Sequence, residues 1–258
     1  MTEVKKLKEV TNWLSRGQID QMYSSEYWNN ITDEKNKPWW ILDGNYKKLW
    51  AYLENSGTLQ EFNEGINEIN SIKSKNINIA DLAAGTGWTS AILSKIDSVS
   101  EVHSLEMSEH RISELFAETI KMFDGNPDKI HRYLGSFYET QFKNNYFDII
   151  VLNQAFHHAD EPFALLQECK RILKKEGSVF IIGEPYIGFK AYLRKIIATI
   201  VKERKLKYKF YDLFETCPEM GDHYYRDSDY RFIFQSAGFE CSFKLLKTGN
   251  GFYILKNL

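Results

Sequence analysis

The sequence predicts an α/β fold: a mostly parallel, seven-stranded sheet ending in an antiparallel C-terminal hairpin, with a helical cap before it and a helical insertion after its fifth strand. Three observations carry this prediction. From Ile77 onward, short apolar runs alternate with helix-length segments, the signature of βαβ units and a parallel sheet. The first of these runs, at 77–82, passes through Asp81 into Gly85-Thr86-Gly87 and directly into a helical pattern. Near the C-terminus two apolar runs flank Thr248-Gly249-Asn250-Gly251, whose Asn-Gly pair is a strong hairpin signal.

Residues 1–76 read as helical. Val4, Leu7, Val10 and Leu14 recur at helical spacing, and Thr58 with Glu61 three residues later makes a capping-box pattern ahead of Phe62, Ile66 and Ile69. Between them, Tyr23, Tyr27, Trp28, Trp39, Trp40 and Tyr46 form an aromatic stretch in which Pro38 interrupts any continuous helix. Such a stretch suits a cap over a site, and equally the core of a small helical subdomain. Strands are expected at 77–82, 99–106, 130–134, 147–152 and 177–183. Helices are expected at 87–96, 108–122 and 162–174, the last with Phe163, Leu166, Cys169 and Leu173 on one face. After a long excursion at 185–227 the chain resumes with a helix ending at Gly238 and two strands, 239–247 and 252–256. The predicted organisation is therefore a cap over 1–76 and a core over 77–258, with 185–227 inserted as a basic helical lid.

A chain of 258 residues fits one large domain with a sizeable core. Its aromatic content of 15% is high enough to suggest lined pockets. Cys169, Cys217 and Cys241 are odd in number and far apart, which suits buried or semi-buried thiols in a reducing compartment, neither a disulfide framework nor a zinc site. The N-terminus, with Glu3, Lys5, Lys6, Lys8 and Glu9, lacks the apolar stretch of a signal peptide, and no run of 18 apolar residues occurs. A cytoplasmic protein without stable membrane insertion is expected.

The net charge of −2 conceals an asymmetry. From Lys190 to Lys209, eight basic residues face the single acid Glu203, giving that segment +7, while the remaining 25 basic and 34 acidic residues give −9. A cationic stripe on an acidic protein attracts an anionic partner at that place. Phe189, Leu193, Ile196, Ile197 and Ile200 fall along one side of the same segment. Three roles fit: a lid packing its apolar side on the core, a helix lying on a membrane surface, or a site for a phosphate-bearing acceptor.

The motif INIADLAAGTGWTSAIL, residues 77–93, carries the chemistry. Glycine there lets the backbone turn sharply and lets a ligand lie against bare main chain at a helix N-terminus. Glu106 ends the next strand, nineteen residues after Gly87, where an acid can accept hydrogen bonds from ribose hydroxyls. The dinucleotide fingerprint would need a third glycine at Ser90, so a pyrophosphate ligand is disfavoured.

Four ordered blocks extend the pattern: DLAAGTG (81–87), Glu106, FDIIVLNQAFHHADEPF (147–163) and LLQECKRILKKEGSVFIIGEP (165–185). With them the chain resembles the class I S-adenosylmethionine-dependent methyltransferases, whose core is Rossmann-like, over 77–185 and in outline to the C-terminus. The resemblance implies S-adenosylmethionine as cofactor. It implies that Asp81 and the backbone around Ala83, Gly85 and Gly87 hold the methionine part, and that Glu106 holds the ribose. Met107 would pack beside the adenine, Ser136 and Phe137 would meet the base edge, and Asn153 would offer its backbone carbonyl. Ala83 stands where the family often has glycine, and Ser136 where it often has an acid.

His157 and His158 follow the fourth strand at the sheet edge where ligands bind in open α/β folds, and His223 lies at the end of the basic excursion beside Asp222. Each is a candidate general base, because an imidazole titrates near working pH. The alternative for each is a histidine that orders its loop. His103 and His110 read as structural. Asn153-Gln154-Ala155-Phe156 replaces the Asn-Pro-Pro-aromatic sequence that the resemblance would require of an amino-methylating DNA enzyme, so no nucleic acid is expected. The aspartates of the magnesium-dependent catechol type are also missing, so no metal is expected. The expected reaction is O-methylation of a small anionic or carbohydrate-type acceptor. Behind it stand N- or C-methylation of another metabolite such as a quinone precursor, a non-catalytic S-adenosylmethionine-binding partner, and a nicotinamide-dependent dehydrogenase.

Overall fold

The structure, a computed structural model, describes residues 7–18, 45–70, 76–215 and 221–258. Val4, the aromatics Tyr23 to Trp40 and Cys217 lie outside the described residues. The apolar runs from Ile77 on become strands because both of their faces are covered, as in any parallel sheet flanked by helices. They are β2 (Ile77–Leu82), β3 (Val99–Glu106), β4 (Ile130–Leu134), β5 (Phe147–Asn153) and β6 (Leu173–Glu184), followed by the hairpin β7 (Phe239–Leu245) and β8 (Gly251–Asn257). An eighth strand, β1 (Val10–Asn12), precedes them. The order across the sheet is β1-β4-β3-β2-β5-β6-β8-β7, parallel throughout except at β8, which runs against both neighbours. Strand order reverses between β2 and β5, and the ends of those two strands open the crevice where such sheets bind ligands.

β1 corrects the helical reading of the N-terminus. The free edge of β4 captures the segment: Val10, Thr11 and Asn12 pair with Arg132, Tyr133 and Leu134. Trp13 then packs on Tyr133 and Phe142, with centroids 4.4 and 4.7 Å away, and the Arg132 guanidinium donates to the Lys8 carbonyl at 2.8 Å. Three apolar residues at helical spacing fitted either structure, and only the partner edge distinguishes them.

Helices α1 (Tyr46–Asn55) and α2 (Thr58–Asn70) lie on one face of the sheet. Their Leu49, Leu53, Phe62, Ile66 and Ile69 share one core cluster with Ile79, Val151 and Ile182. The capping box does not form, because the buried Glu61 carboxylate turns to the C-terminal hairpin. It accepts from Thr248 Oγ1, from Asn250 Nδ2 at 2.9 Å and from Gln154 Nε2 at 3.3 Å. The first face also takes α3 (Trp88–Ser94) and, after a π-helical turn at His110–Leu115, α4 (Phe116–Met122). The opposite face takes α5 (Pro162–Ile172) and the later helix Asp227–Ser236. In α5, Leu166 and Cys169 are buried as predicted, Leu173 opens β6, and Phe163 in the first turn is exposed. The hairpin forms, but its left-handed residue is Gly249, with φ 99°, and not the Asn250-Gly251 pair. Leu246 closes the turn by donating to the Asn250 carbonyl at 2.9 Å.

The excursion after β6 holds α6 (Phe189–Glu203) and a short α7 (Phe210–Leu213); the helix at Asp227–Ser236 is α8. Here the structure reverses the expected packing. Tyr192, Ile196 and Thr199 face the protein, whereas Phe189, Leu193, Ile197 and Ile200 are exposed. Among the described residues no helix is long and apolar enough to cross a membrane.

Candidate functional site

The turn between β2 and α3 is left-handed at three points: Ala83 (φ 58°), Gly85 (φ 56°) and Gly87 (φ 86°). The two glycines differ in what a side chain would meet. A Cβ on Gly87 would stand 2.4 Å from the Phe116 ring, so that glycine serves packing. A Cβ on Gly85 would find no protein atom within 4 Å, so that glycine leaves bare backbone facing the crevice. Ala83 tolerates a conformation that ordinarily costs an L-residue about 1–2 kcal/mol.

Asp81 and Glu106 brace this turn from two sides. The buried Asp81 carboxylate accepts from Thr89 Oγ1 at 2.7 Å and Ser90 Oγ at 2.5 Å, tying β2 to the first turn of α3. Ser90 therefore supplies a needed hydroxyl at the position where a dinucleotide site would carry glycine. Burial pushes the Asp81 carboxyl up to about 6, partly opposed by those two hydroxyls. Glu106 accepts from the N–H of Gly85 at 2.8 Å, and from those of Met107 and Ser108 at 2.9 Å each. A carboxylate has about four lone-pair positions, so three backbone donors leave Glu106 room for a further hydroxyl.

Around the crevice, Met107, Ser136 and Phe137 are half-buried. Ser136 Oγ accepts from the Tyr138 N–H at 3.2 Å, and Phe137 meets the Tyr138 ring edge to face at 4.7 Å. Asn153, at the end of β5, keeps its side-chain Oδ1 buried with no hydrogen-bond partner. A buried polar atom left unpaired costs about 1–3 kcal/mol, so Asn153 Oδ1 calls for a donor at the strand end. The open backbone at Gly85 and this acceptor fit a nucleoside-bearing ligand such as S-adenosylmethionine.

The three histidine candidates come together after β5. The link is Glu184, at the end of β6 and fully buried. Its carboxylate accepts from the N–H groups of Ala155 (3.1 Å), Phe156 (3.0 Å) and His157 (3.0 Å), and pairs with His157 Nδ1 at 2.9 Å. Burial would raise its pKa, but the His157 charge, the ring hydrogen bond and the backbone N–H of Phe156 outweigh that and lower it. His157 moves the other way: burial lowers it, and the Glu184 charge and hydrogen bond raise it above its ordinary value. His158 Nδ1 stands 3.3 Å from Asp222 Oδ1, and burial with the neighbouring His157 charge holds it down at about 4. His223 donates its backbone N–H to the His157 carbonyl at 2.8 Å, while its ring pairs with Asp160 at 2.9 Å. Sequence reasoning missed that Glu184 holds both the loop backbone and one histidine ring. A buried strand-end acid opposite a His-His pair is the signal for it.

His103 and His110 are held as structural residues would be. His103 bonds Glu101 and Tyr133 and stacks on His131, with centroids 4.6 Å apart, and His110 bonds Glu114 at 3.0 Å. Among the described residues two groups, Glu101-His103-His131 and His157-His158-Asp222, bring potential ligand atoms within 4.8 Å of one another. In the first, each member already pairs with Tyr133, Tyr146 or Lys8. Beyond β6, a cavity of about 630 Å³ is lined by Pro185 and Tyr186, the inner face of α6 at Lys195 and Thr199, and Tyr224 and Asn250.

Residues 80–181 match a family model described as a methyltransferase domain. No curated protein sequence matches the chain. Solved structures share the fold. A proposed methyltransferase in complex with the Haloferax volcanii Trm112 methyltransferase activator has a TM-score of 0.60 and 14% identity, covering 84% of this chain and 95% of that one. A proposed S-adenosylmethionine-dependent methyltransferase of Methanococcus maripaludis has a TM-score of 0.55 and 19% identity, covering 83% and 92%. A SAM-dependent methyltransferase from Aquifex aeolicus has a TM-score of 0.51 and 16% identity, covering 77% and 90%.

Proposed function

We propose that the chain, whose residues 80–181 match a methyltransferase-domain model, uses S-adenosylmethionine to O-methylate a small hydroxylated acceptor of anionic or carbohydrate type, with His157 as general base. When bound, S-adenosylmethionine would supply an electrophilic sulfonium methyl for the acceptor oxygen, with S-adenosylhomocysteine as the leaving group. The chain's own part is binding, orientation and removal of one proton. Asp81, Ala83 and Gly85 form the methionine end of the cradle, with Gly87 closing the turn against Phe116, Glu106 receives the ribose, and Met107, Ser136, Phe137 and Asn153 surround the base.

The Glu184–His157 pair carries this reading. Glu184 engages Nδ1, so the neutral ring presents its lone pair on Nε2, and the raised pKa of His157 favours accepting a proton. His158, held down at about 4, is the weaker proton acceptor of the adjacent pair, and the His223 ring is engaged by Asp160. In the cavity beside α6, Lys195 and Lys207 face Glu203, Asp212 and Glu215, with Tyr186 and Tyr224 alongside. Donors, acceptors and aromatic faces in that mixture suit a polyhydroxylated ligand. Calorimetric titration with S-adenosylmethionine, S-adenosylhomocysteine and nicotinamide dinucleotides tests the cofactor, and turnover against sugars, nucleotide-sugars and phosphorylated alcohols tests the acceptor. Binding of the first two alone, with methyl transfer to a hydroxyl, is the expected result. Tight nicotinamide binding, or transfer only to nitrogen or carbon, overturns the proposal.

A further inference from the structure

The outer face of α6 is amphipathic in the wrong direction for a lid. Phe189 is 77% exposed, Leu193 44%, Ile197 52%, Ile200 44% and Val201 73%. At 3.6 residues per turn these five fall within an arc of about 120° on one side of the helix. The side turned to the protein carries Thr199, which is buried, Tyr192, which stacks on Phe210 and Phe214, and Lys195, 5.9 Å above the Phe214 ring. Water therefore meets the apolar stripe, and a contiguous exposed apolar surface of this kind marks an interaction site.

Charge accompanies the stripe. Lys190 falls within that arc and Arg194 just past its edge, Lys202 lies near the end of the helix, and Arg204, Lys205 and Lys209 follow directly, all exposed. Leu206 and Tyr208, between those cations, are 69% and 61% exposed. The rest of the chain carries −9, so this one surface attracts anions while its surroundings repel them. An exposed apolar arc bordered by lysine and arginine is the arrangement of a helix lying in a lipid–water interface, with apolar side chains among acyl chains and cations at the headgroups. The helix starts five residues after the end of β6, so it lies close to the strand end that carries Glu184.

We infer that the outer face of α6 docks the protein peripherally on an anionic lipid surface, by burying Phe189, Leu193, Ile197, Ile200 and Val201 beneath headgroups contacted by Lys190, Arg194 and the cations after the helix. Among the described residues no helix is long and apolar enough to cross a bilayer. This surface stands independently of which acceptor is methylated. If the acceptor is itself lipid-linked, docking brings the site to it.

Co-sedimentation of the whole protein with phosphatidylcholine vesicles, and with vesicles that also contain phosphatidylglycerol, tests the inference. Binding is expected only to the anionic vesicles, and it should weaken steeply with added salt as screening shortens. The triple variant Leu193→Ser, Ile197→Ser, Val201→Ser should lose about tenfold or more of that binding. Lys190→Gln with Arg194→Gln and Lys205→Gln should bring binding down to the level on neutral vesicles. Both variants should keep wild-type thermal stability and S-adenosylmethionine affinity, which separates failure of docking from failure of folding or of the methyl-transfer reading. No binding to anionic vesicles, or a serine triple variant that binds as wild type, overturns the inference. So does a dimer in solution that the same three substitutions dissociate, since the stripe is then an interface between copies.

Discussion

The Glu184 carboxylate lies 2.9 Å from Nδ1 of His157 and also receives three successive backbone N–H groups from the loop that carries the ring. One buried acid thus sets both the position of the loop and the tautomer of the histidine. Tyr230, at 3.4 Å, is its only other side-chain neighbour among the hydrogen bonds of the described residues.

If His157 takes the acceptor proton, His157→Gln should lower kcat by about 10²- to 10⁴-fold, the range for losing a positioned base. Cofactor affinity should hardly change. Glu184→Gln should lower kcat as well and move the acidic limb of its pH profile to lower pH, since the charge that raises His157 is gone. Steady-state rates against pH, beside calorimetric cofactor titrations, check both. An unchanged kcat in His157→Gln would remove the base from the mechanism.

Glu106→Ala should weaken S-adenosylmethionine binding by about 1–3 kcal/mol, the range for lost hydrogen bonds to a charged group. Because Glu106 also holds the Gly85, Met107 and Ser108 N–H groups, part of the loss should come from a loosened turn. Glu106→Gln keeps an acceptor there and should recover some affinity. Calorimetry on the three proteins gives the comparison; equal affinities would move the ribose contact elsewhere.

The two glycines of the turn should fail differently. Gly85→Val places its side chain in open space and should fold, at a cost of about 1–2 kcal/mol for the left-handed backbone, yet bind no S-adenosylmethionine. Gly87→Val drives into the Phe116 ring and should lose stability first. Thermal unfolding with and without cofactor separates the cases. A folded Gly85→Val protein with wild-type affinity would defeat the cradle assignment.

Asp81 gives a pH dependence of defined sign. Its folded pKa, about 6, lies above the ordinary value of 3.8, so the native state binds the extra proton between them and the stabilisation present at low pH is lost as pH rises through about 6. A displacement of that size corresponds to about 3 kcal/mol at 1.36 kcal/mol per unit. Relative to Asp81→Asn, which has nothing to titrate there, the wild type should therefore lose up to about 3 kcal/mol between about pH 4 and about pH 7. Denaturant unfolding of both proteins across that range reads the difference, and a constant gap would show that Asp81 does not titrate on folding.

What the sequence determined by itself was whatever local pattern and strand-end chemistry can encode. The strands 77–82, 99–106 and 130–134 stand where their apolar runs placed them, since a run buried on both faces has one way to fold in a parallel sheet. The Gly85-Thr86-Gly87 turn was equally legible, because few residues besides glycine accept its left-handed backbone. Tertiary structure decided matters that depend on a distant partner. Val10 to Asn12 became a strand only because β4 had a free edge, and Glu61 left its helix cap because the hairpin turn at Thr248 and Asn250 offered donors. Glu184 and His157, 27 residues apart, became a pair when β5 and β6 were laid side by side. The helix from Phe189 kept its amphipathic pattern and turned the apolar side outward. Periodicity fixes that two faces exist; which one meets the protein is set by what the neighbouring elements can bury.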